Sequence, residues 1–384
     1  MPTQSDLLNT TNYREEIPAL ANKMYFNFGG QGTMPRSALK AIVDAYEFVQ
    51  EEGPFSVSVN KWIDVELEST RQVLAQEFGG RSEGFIVTGS VTEGCNIAMW
   101  GLDWQPGDRM LLSDAEHPGV ILIAETISRR FSVSIDYFNV TGLSDEAVLE
   151  QLRQALVSRP RLVVVSHILW NTGQVLPLQA IGEMCRENGA LVLVDAAQSI
   201  GVLPLNVERL GVDFYAFTGH KWICGPEGLG CLYASQGGLD KLQPTYVGWR
   251  GVGLKDGNSP SRFEVATSPF PLLAGLKKSI EFHQQQAPAA VRYRAICRKT
   301  ALLRAELQKI KDIEFLVEEQ PASSLVAFRM RNNQPADIVK TLESERTYLR
   351  TIPKPECIRA SIHYFTDDEQ IKSLAQRLAR FSSM

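Results

Sequence analysis

The sequence is short of the features that mark several large classes of protein. It has six cysteines in 384 residues, at 95, 185, 224, 231, 297 and 357, with no CxxC pair and no zinc-like clustering. Thiols scattered in this way read as reduced and mostly buried, not as a disulfide framework. Histidine is scarcer, with five residues and no HExxH pair, so no metal is expected and a zinc hydrolase is disfavoured. No stretch reaches the roughly 18–20 consecutive apolar residues of a transmembrane helix. Residues 1–18 are polar and lack the basic-then-apolar layout of a signal peptide. Both absences point to a cytoplasmic protein with no membrane partner. No dense Lys/Arg run occurs, and 44 acidic against 39 basic side chains leave a net charge of −5. Nucleic acid is therefore not an expected partner. There is neither an internal repeat nor a low-complexity segment.

What is present is ordinary globular composition, 44% hydrophobic and 22% charged. At about 150 residues per domain the length suits two domains. Residues 16–255 alternate short apolar runs with amphipathic stretches. The runs at 84–88, 110–113, 162–166, 191–195 and 214–217 read as buried strands. Those at 118–130, 145–157 and 178–188 read as helices, as do 35–52 and 60–78, with Pro35 suited to a first helical position. Apolar strands separated by helices indicate a doubly wound, mainly parallel sheet covered on both faces, forming a large α/β domain. After the turn-rich join at 256–261 come long helices at 272–285 and 289–310, then strands at 324–330 and 358–365. Thr366-Asp367-Asp368-Glu369 fits a capping box opening a last helix. Residues 1–15 and 256–384 are expected to form a smaller α+β domain.

Four loops each join the C-terminal end of a strand to a helix, where open α/β sheets place ligands. Thr88-Gly89-Ser90-Val91-Thr92-Glu93-Gly94-Cys95-Asn96 offers backbone N–H groups and a helix start that could hold a phosphate, or it is an ordinary turn. It is neither a Walker A nor a GxGxxG motif, so no nucleoside triphosphate or dinucleotide is implied. Asp195, ending a buried strand in Val194-Asp195-Ala196-Ala197-Gln198-Ser199, needs a cationic or proton-donating partner, such as a protonated pyridine nitrogen, or else caps the next helix. Lys221 follows a buried strand in Thr218-Gly219-His220-Lys221, close to two phosphate-capable donors. A lysine placed there can be deprotonated by burial and form a Schiff base, or else it is a solvated surface lysine. His117, in Ala115-Glu116-His117-Pro118-Gly119, either stacks on a flat ring or caps the helix that Pro118 starts.

These motifs, in this order and spacing, with Gly225-Pro226-Glu227-Gly228-Leu229-Gly230 after the lysine, resemble the class V aminotransferase family of pyridoxal-phosphate enzymes. The cysteine desulfurases and the cystine C–S lyase branch are the nearest likeness. The resemblance runs from Tyr25-Phe26-Asn27-Phe28-Gly29 to Ile358-Arg359-Ala360-Ser361. It implies the fold-type-I architecture of these enzymes, pyridoxal 5'-phosphate as cofactor and a homodimer. Position by position, it implies that Lys221 is the Schiff-base lysine and the acid/base at Cα. Asp195 would hold the pyridinium proton, Gln198 would contact the ring hydroxyl and His117 would stack on the ring. Val91, Thr92, Thr218 and His220 would bind the phosphate, and Thr267 would reach the phosphate of the other subunit. Arg359 resembles the fork that grips the substrate carboxylate.

Two positions depart from the desulfurase pattern. Where those enzymes commonly have an asparagine, three residues before Gly173, this chain has Trp170, and Asn171 is the residue left to make the ring contact. Desulfurases also carry a nucleophilic cysteine on a mobile loop well upstream of the arginine. Here Tyr348 to Arg359 leaves almost no loop, and Pro353 and Pro355 stiffen it. Cys357, two residues before Arg359, shares its face in a strand and reads better as a packed residue than as the nucleophile. The expectation is thus a C–S lyase that β-eliminates cystine or cysteine to pyruvate and ammonia. Its other product is cysteine persulfide (or sulfide), and a sulfur or iron–sulfur acceptor protein is the expected partner. The alternatives are a cysteine desulfurase using Cys357 and yielding alanine, an aminotransferase or epimerase, and a catalytically silent regulatory relative.

Overall fold

The computed structural model describes residues 13–251, 259–265, 267–319 and 321–382. The strands are β1 (Met24–Tyr25), β2 (Phe85–Thr88), β3 (Arg109–Ser113), β4 (Ser134–Phe138), β5 (Leu162–Ser166), β6 (Leu191–Asp195), β7 (Phe214–Thr218), β8 (Gly230–Ala234), β9 (Ile313–Phe315), β10 (Leu325–Met330), β11 (Thr347–Tyr348), β12 (Arg350–Pro353) and β13 (Glu356–Ser361). The helices are α1 (Tyr13–Glu16), α2 (Arg36–Glu52), α3 (Val57–Phe78), α4 (Val91–Trp100), α5 (Pro118–Phe131), α6 (Asp145–Leu156), α7 (Leu178–Glu187), α8 (Gln236–Leu239), α9 (Pro271–Gln286), α10 (Ala289–Leu307), α11 (Pro335–Ser344) and α12 (Asp368–Ser382).

Side chains alternate across a strand, so a sheet buried on both faces must be apolar at every position. Strand β5 meets that demand: Val163 and Val165 enter one core with Val192 and Val194 of β6, while Leu162 and Val164 enter a second core with Leu193. The result is a seven-stranded sheet in the order β2-β8-β7-β6-β5-β3-β4. All its strands run the same way except β8, which lies antiparallel between β2 and β7. This is the expected mainly parallel α/β sheet. Strands β4 and β8 are additions to the sequence reading; β4 carries partly exposed polar residues and so shows no apolar run, while β8 is buried throughout and follows the glycine-rich loop 225–229. Serines start several helices, with Ser56, Ser90 and Ser144 each accepting the N–H three residues on.

The second sheet is antiparallel, in the order β12-β13-β10-β9. One face packs on α10, α11 and α12 through Leu303, Leu307, Ile338, Leu342, Leu374 and Leu378. Strand β1 pairs in parallel with β11, and Asn27 bridges to Ser361, so the chain entering the large sheet first runs beside the small one. Helix α9 follows the expected boundary near 255 in chain order, yet its Leu273, Leu276 and Ile280 lie in a core of the large sheet. Residues 1–12 of the expected small domain, and 256–258 of the join, fall outside the described residues.

Three local expectations change. The strand expected at 358–365 ends at Ser361, because the chain turns there with Thr366 N–H donating to the His363 carbonyl at 3.0 Å. Thr366 does not form a capping box. Its Oγ1 accepts from His363 N–H, and Asp367 Oδ1 accepts from Glu369 N–H, both at 3.0 Å, at the start of α12. Pro35 occupies the cap position and α2 starts at Arg36.

A Cβ at Gly275 of α9 would lie 2.4 Å from Ile42 Cγ1 of α2, so the two helices meet at van der Waals contact. Gly275→Val should lower the free energy of unfolding by about 1–3 kcal/mol through overpacking. Urea unfolding of the variant checks this, and an unchanged midpoint would show that α9 is not packed as described.

Candidate active site

Four of the expected residues, Asp195, Lys221, His117 and Arg359, lie close enough to act on one another's charge, the first three at the C-terminal ends of large-sheet strands or in the loops that follow. Asp195 ends β6 and is 7% exposed. Its Oδ1 accepts the Ala197 N–H at 2.9 Å, so it does cap the following turn, and Oδ2 is left for another partner. Lys221 follows β7 in a half-buried position. Burial drives its amine down to about 8; the charge of Asp195 opposes this, and Arg359 and Arg350 add to it. Such an amine is half neutral near pH 8 and is a ready nucleophile or base.

Of the two readings left open for His117, the structure shows the cap. Its Nδ1 caps α5 by accepting Gly119 N–H at 3.1 Å, and its ring meets Trp170 edge to face at 5.3 Å. Burial lowers its pKa, as do Lys221 and Arg359, against the pull of Asp195. Thr218 Oγ1 and His220 Nδ1 lie 2.6 Å apart. Val91 and Thr92 supply the first two amides of α4, where helix geometry leaves N–H groups without an intrahelical acceptor. Thr267 is exposed and lines a hollow shared with Thr88, Gly89, Glu93 and Tyr246. Gln198 is more committed than expected: Nε2 donates to the Gly29 carbonyl and Oε1 accepts from Trp222 Nε1, both at 2.9 Å, leaving one N–H for a ligand.

Arg359 of β13 is 3% exposed, and among the described residues it has no carboxylate partner. Its Nη1 donates to the Trp170 carbonyl at 2.6 Å, and burial pulls its pKa down to about 10, with Arg350 contributing. Its Nε has no partner, and neither do Asn171 Oδ1, Trp170 Nε1, Ser361 Oγ or Asn27 Oδ1, all buried. Buried polar atoms are rarely left unpaired, so such a group marks a candidate ligand site. Arg359 and Ser361 meet Gln198 at Gly29, where a Cβ would sit 2.9–3.0 Å from Ser361 Oγ, Arg359 Nη2 and Gln198 Oε1 and would crowd all three.

The sequence reading missed several contributors. Arg350 lies directly opposite Arg359 in the β12–β13 pair, and no local motif announces it. Glu116, beside His117, is buried, and burial pushes its carboxyl up to about 8. The Ser113 and Ser166 hydrogen bonds hold it back, and Asp195 pushes it further up. Ser166 Oγ and N–H and Ser113 Oγ donate to this carboxyl at 2.6–2.9 Å, tying β3 to β5 beside Asp195. Beneath Asp195, Tyr215 OH links His167 Nδ1 at 2.9 Å to Ser199 Oγ at 2.7 Å. Cys357, expected to share the face of Arg359, does so. It is buried with Ile352 and Ala327, and its thiol is pushed up to about 11.

Comparison with known proteins supplies the context. The family model described as aminotransferase class-V matches residues 24–374. A probable cysteine desulfurase of Methanothermobacter thermautotrophicus is 28% identical over 98% of this chain and 99% of its own. The isopenicillin N epimerase of Streptomyces clavuligerus is 28% identical over 92% and 93%. Among solved structures, the cystine C–S lyase C-DES, in complex with its reaction product cysteine persulfide, superposes with a TM-score of 0.91 and 46% identity, covering 94% of this chain and 99% of that one. A C-DES mutant with glycine covalently linked to its PLP cofactor gives 0.92 and 45%, covering 96% and 99%.

The depressed pKa of Lys221 has a direct chemical consequence. The neutral amine is the reactive form, so in the cofactor-free protein reductive methylation by formaldehyde and cyanoborohydride should reach Lys221 with a midpoint near pH 8. Surface lysines should follow only near their ordinary value of about 10.4. Peptide mass spectrometry across pH 6.5–10 reads this; a Lys221 midpoint matching that of exposed lysines would refute the assignment.

Proposed function

The chain belongs to the class V aminotransferase family, and from that premise we propose that it is a pyridoxal-phosphate-dependent C–S lyase that cleaves L-cystine by β-elimination. The observation that carries the reading is the pair of guanidiniums on neighbouring strands, Arg359 buried and Arg350 opposite it, both acting on Lys221. Cystine has two carboxylates where cysteine has one. A site with one buried fork and a second cation beside it suits the larger substrate.

The residues fit the cofactor. Asp195 offers a desolvated carboxylate for a ring nitrogen, Lys221 an amine of lowered pKa, and the loop at Ser90–Thr92 with Thr218 and His220 a set of phosphate donors. Bound pyridoxal phosphate supplies an electron sink for charge developing at Cα. Asp195 keeps a proton on the ring nitrogen and so maintains that sink. His117 would cover one ring face, and Asn171 and the remaining Gln198 N–H would serve the ring substituents. Arg359 holds the α-carboxylate, which orients the Cα–H bond toward Lys221. Lys221 then takes the Cα proton, and its lowered pKa suits a base near neutral pH. The leaving sulfur departs as a persulfide, more acidic than a thiol, so no dedicated proton donor is needed. The carbon fragment is released and hydrolysed by water to pyruvate and ammonia, while Arg350 steadies the distal carboxylate.

Cysteine persulfide is a form of sulfur suited to iron–sulfur cluster assembly, with an acceptor protein as partner. A reducing, cytoplasmic setting agrees with the free cysteines. Among the described residues no helix is long and apolar enough to cross a membrane.

The protein acts as a homodimer in this reading. Leu39, Val43 and Tyr46, spaced along one face of α2, are 53%, 46% and 44% exposed, and Phe55, Val57, Val247 and Trp249 are exposed as well. That much uncovered apolar surface suits a subunit interface, and Thr267, exposed near Trp249, stands where it could serve a neighbouring site. Val43→Asp with Tyr46→Lys should give a folded monomer with much weaker cofactor retention in sedimentation velocity. A dimer that persists in the double variant would refute the interface.

The main rival is a cysteine desulfurase using Cys357. The two part on products: the lyase yields pyruvate and ammonia from cystine, and Cys357→Ala keeps most of that activity. Alanine as the amino-acid product, or a folded, yellow Cys357→Ala protein inactive on cystine, would overturn the lyase reading.

A further inference from the structure

Antiparallel register fixes which side chains share a face of the small sheet. Ala327 stands opposite Arg359, Arg350 opposite Arg359, and Ile352 opposite Cys357. All five therefore point the same way, toward the site. Two are the guanidiniums, and the other three form a buried apolar strip with the Cys357 sulfur in it. Trp170 packs on that strip from the turn that follows β5.

The turn is held in several ways. The Trp170 carbonyl takes Arg359 Nη1 at 2.6 Å, Leu169 N–H donates to Gln174 at 2.8 Å, and Gly173 N–H donates to Leu169 at 2.9 Å. Gly173 has a φ of +84°, and a Cβ there would lie 2.9 Å from Leu325 Cβ, so the turn is pressed against β10. The indole thus has little freedom to swing aside with its backbone. The same indole meets the His117 ring edge to face at 5.3 Å. It therefore touches both His117 and the strip that holds the thiol. Its Nε1 has no hydrogen-bond partner, so packing alone holds the ring.

We propose that Trp170 is a specificity-determining residue whose indole withholds Cys357 from the pocket. The consequence rests on the lyase reading: with the protein's nearby thiol covered, no protein sulfur reaches the substrate's sulfur, and sulfur leaves on a small molecule instead. The thiol is also kept protonated by burial, at about 11, so both access and nucleophilicity are denied. A smaller polar residue at 170 would uncover the strip while leaving Arg359 and Lys221 in place.

Alkylation of the whole chain by iodoacetamide at pH 8.5, followed by peptide mass spectrometry, tests this with or without added pyridoxal phosphate. The quantity read is the rate at Cys357 divided by that at Cys95, which is wholly buried beneath the large sheet. In the wild type and in Trp170→Phe, which keeps a ring but loses the N–H, the ratio should stay near one. In Trp170→Ala and Trp170→Asn it should rise by about tenfold or more. A ratio that stays near one in both small variants, whether from continued protection or from general loosening that labels both thiols, overturns the proposal. So does a wild-type Cys357 that reacts as fast as the half-buried Cys297. Failure here would leave pyruvate formation from cystine untouched, whereas alanine formation by the wild type would overturn the lyase reading with the covering indole intact.

Discussion

A guanidinium buried without a carboxylate is costly, because desolvation disfavours its charge and nothing nearby neutralises it. Arg359 is in that position, and the fall of its pKa to about 10 records the cost. The surrounding structure accommodates the residue through one strong contact, with the Trp170 carbonyl, and leaves the rest of its fork unmatched. Everything around it serves that opening: Gly29 must lack a side chain, Gln198 is turned aside toward Gly29 and Trp222, and Ser361 and Asn27 present unpaired oxygens. A carboxylate ligand is what the proposed function places there.

The two sheets divide the work. The large sheet carries Asp195, Lys221, His117 and the start of α4 at strand ends or in the loops that follow, the groups proposed to serve the cofactor. The small sheet carries Arg359 and Arg350 on one face, the groups proposed to take the substrate's carboxylates. Neither set is complete alone. Their joining depends on β1, which pairs with β11, and on a buried aromatic cluster in which Phe28, Trp222, Tyr364 and Phe365 pack together. Lys221 immediately precedes Trp222, so the packing that joins the sheets also fixes the reactive amine.

The same economy governs charge beneath the site. Glu116 is buried close to Asp195, a repulsive arrangement that three hydrogen bonds from Ser113 and Ser166 make tolerable. His167 is held neutral, its pKa near 3, and joins Tyr215 and Ser199 as polar but uncharged support. The negative charge of Asp195 is thus not neutralised from below. It remains available to whatever cation stands above it.

The local chemistry of the chain settles a good deal by itself. Continuous apolar runs between amphipathic helices can be buried only in a sheet covered on both faces, so the large α/β layer was legible, as were Asp195 and Lys221 at its strand ends. Cys357 and Arg359 had to share a face because strand periodicity is two. Tertiary structure decided the rest. The antiparallel β8 is fixed by its neighbours β2 and β7, the cap of α12 by a chain reversal at His363, and the partners of Gln198 by Gly29 and Trp222, far away in sequence. Above all, Arg350 beside Arg359, and Trp170 packed on the strip that holds Cys357, are matters of pairing and packing between distant segments. Local periodicity carries no record of such contacts, since each depends on where another part of the chain comes to rest.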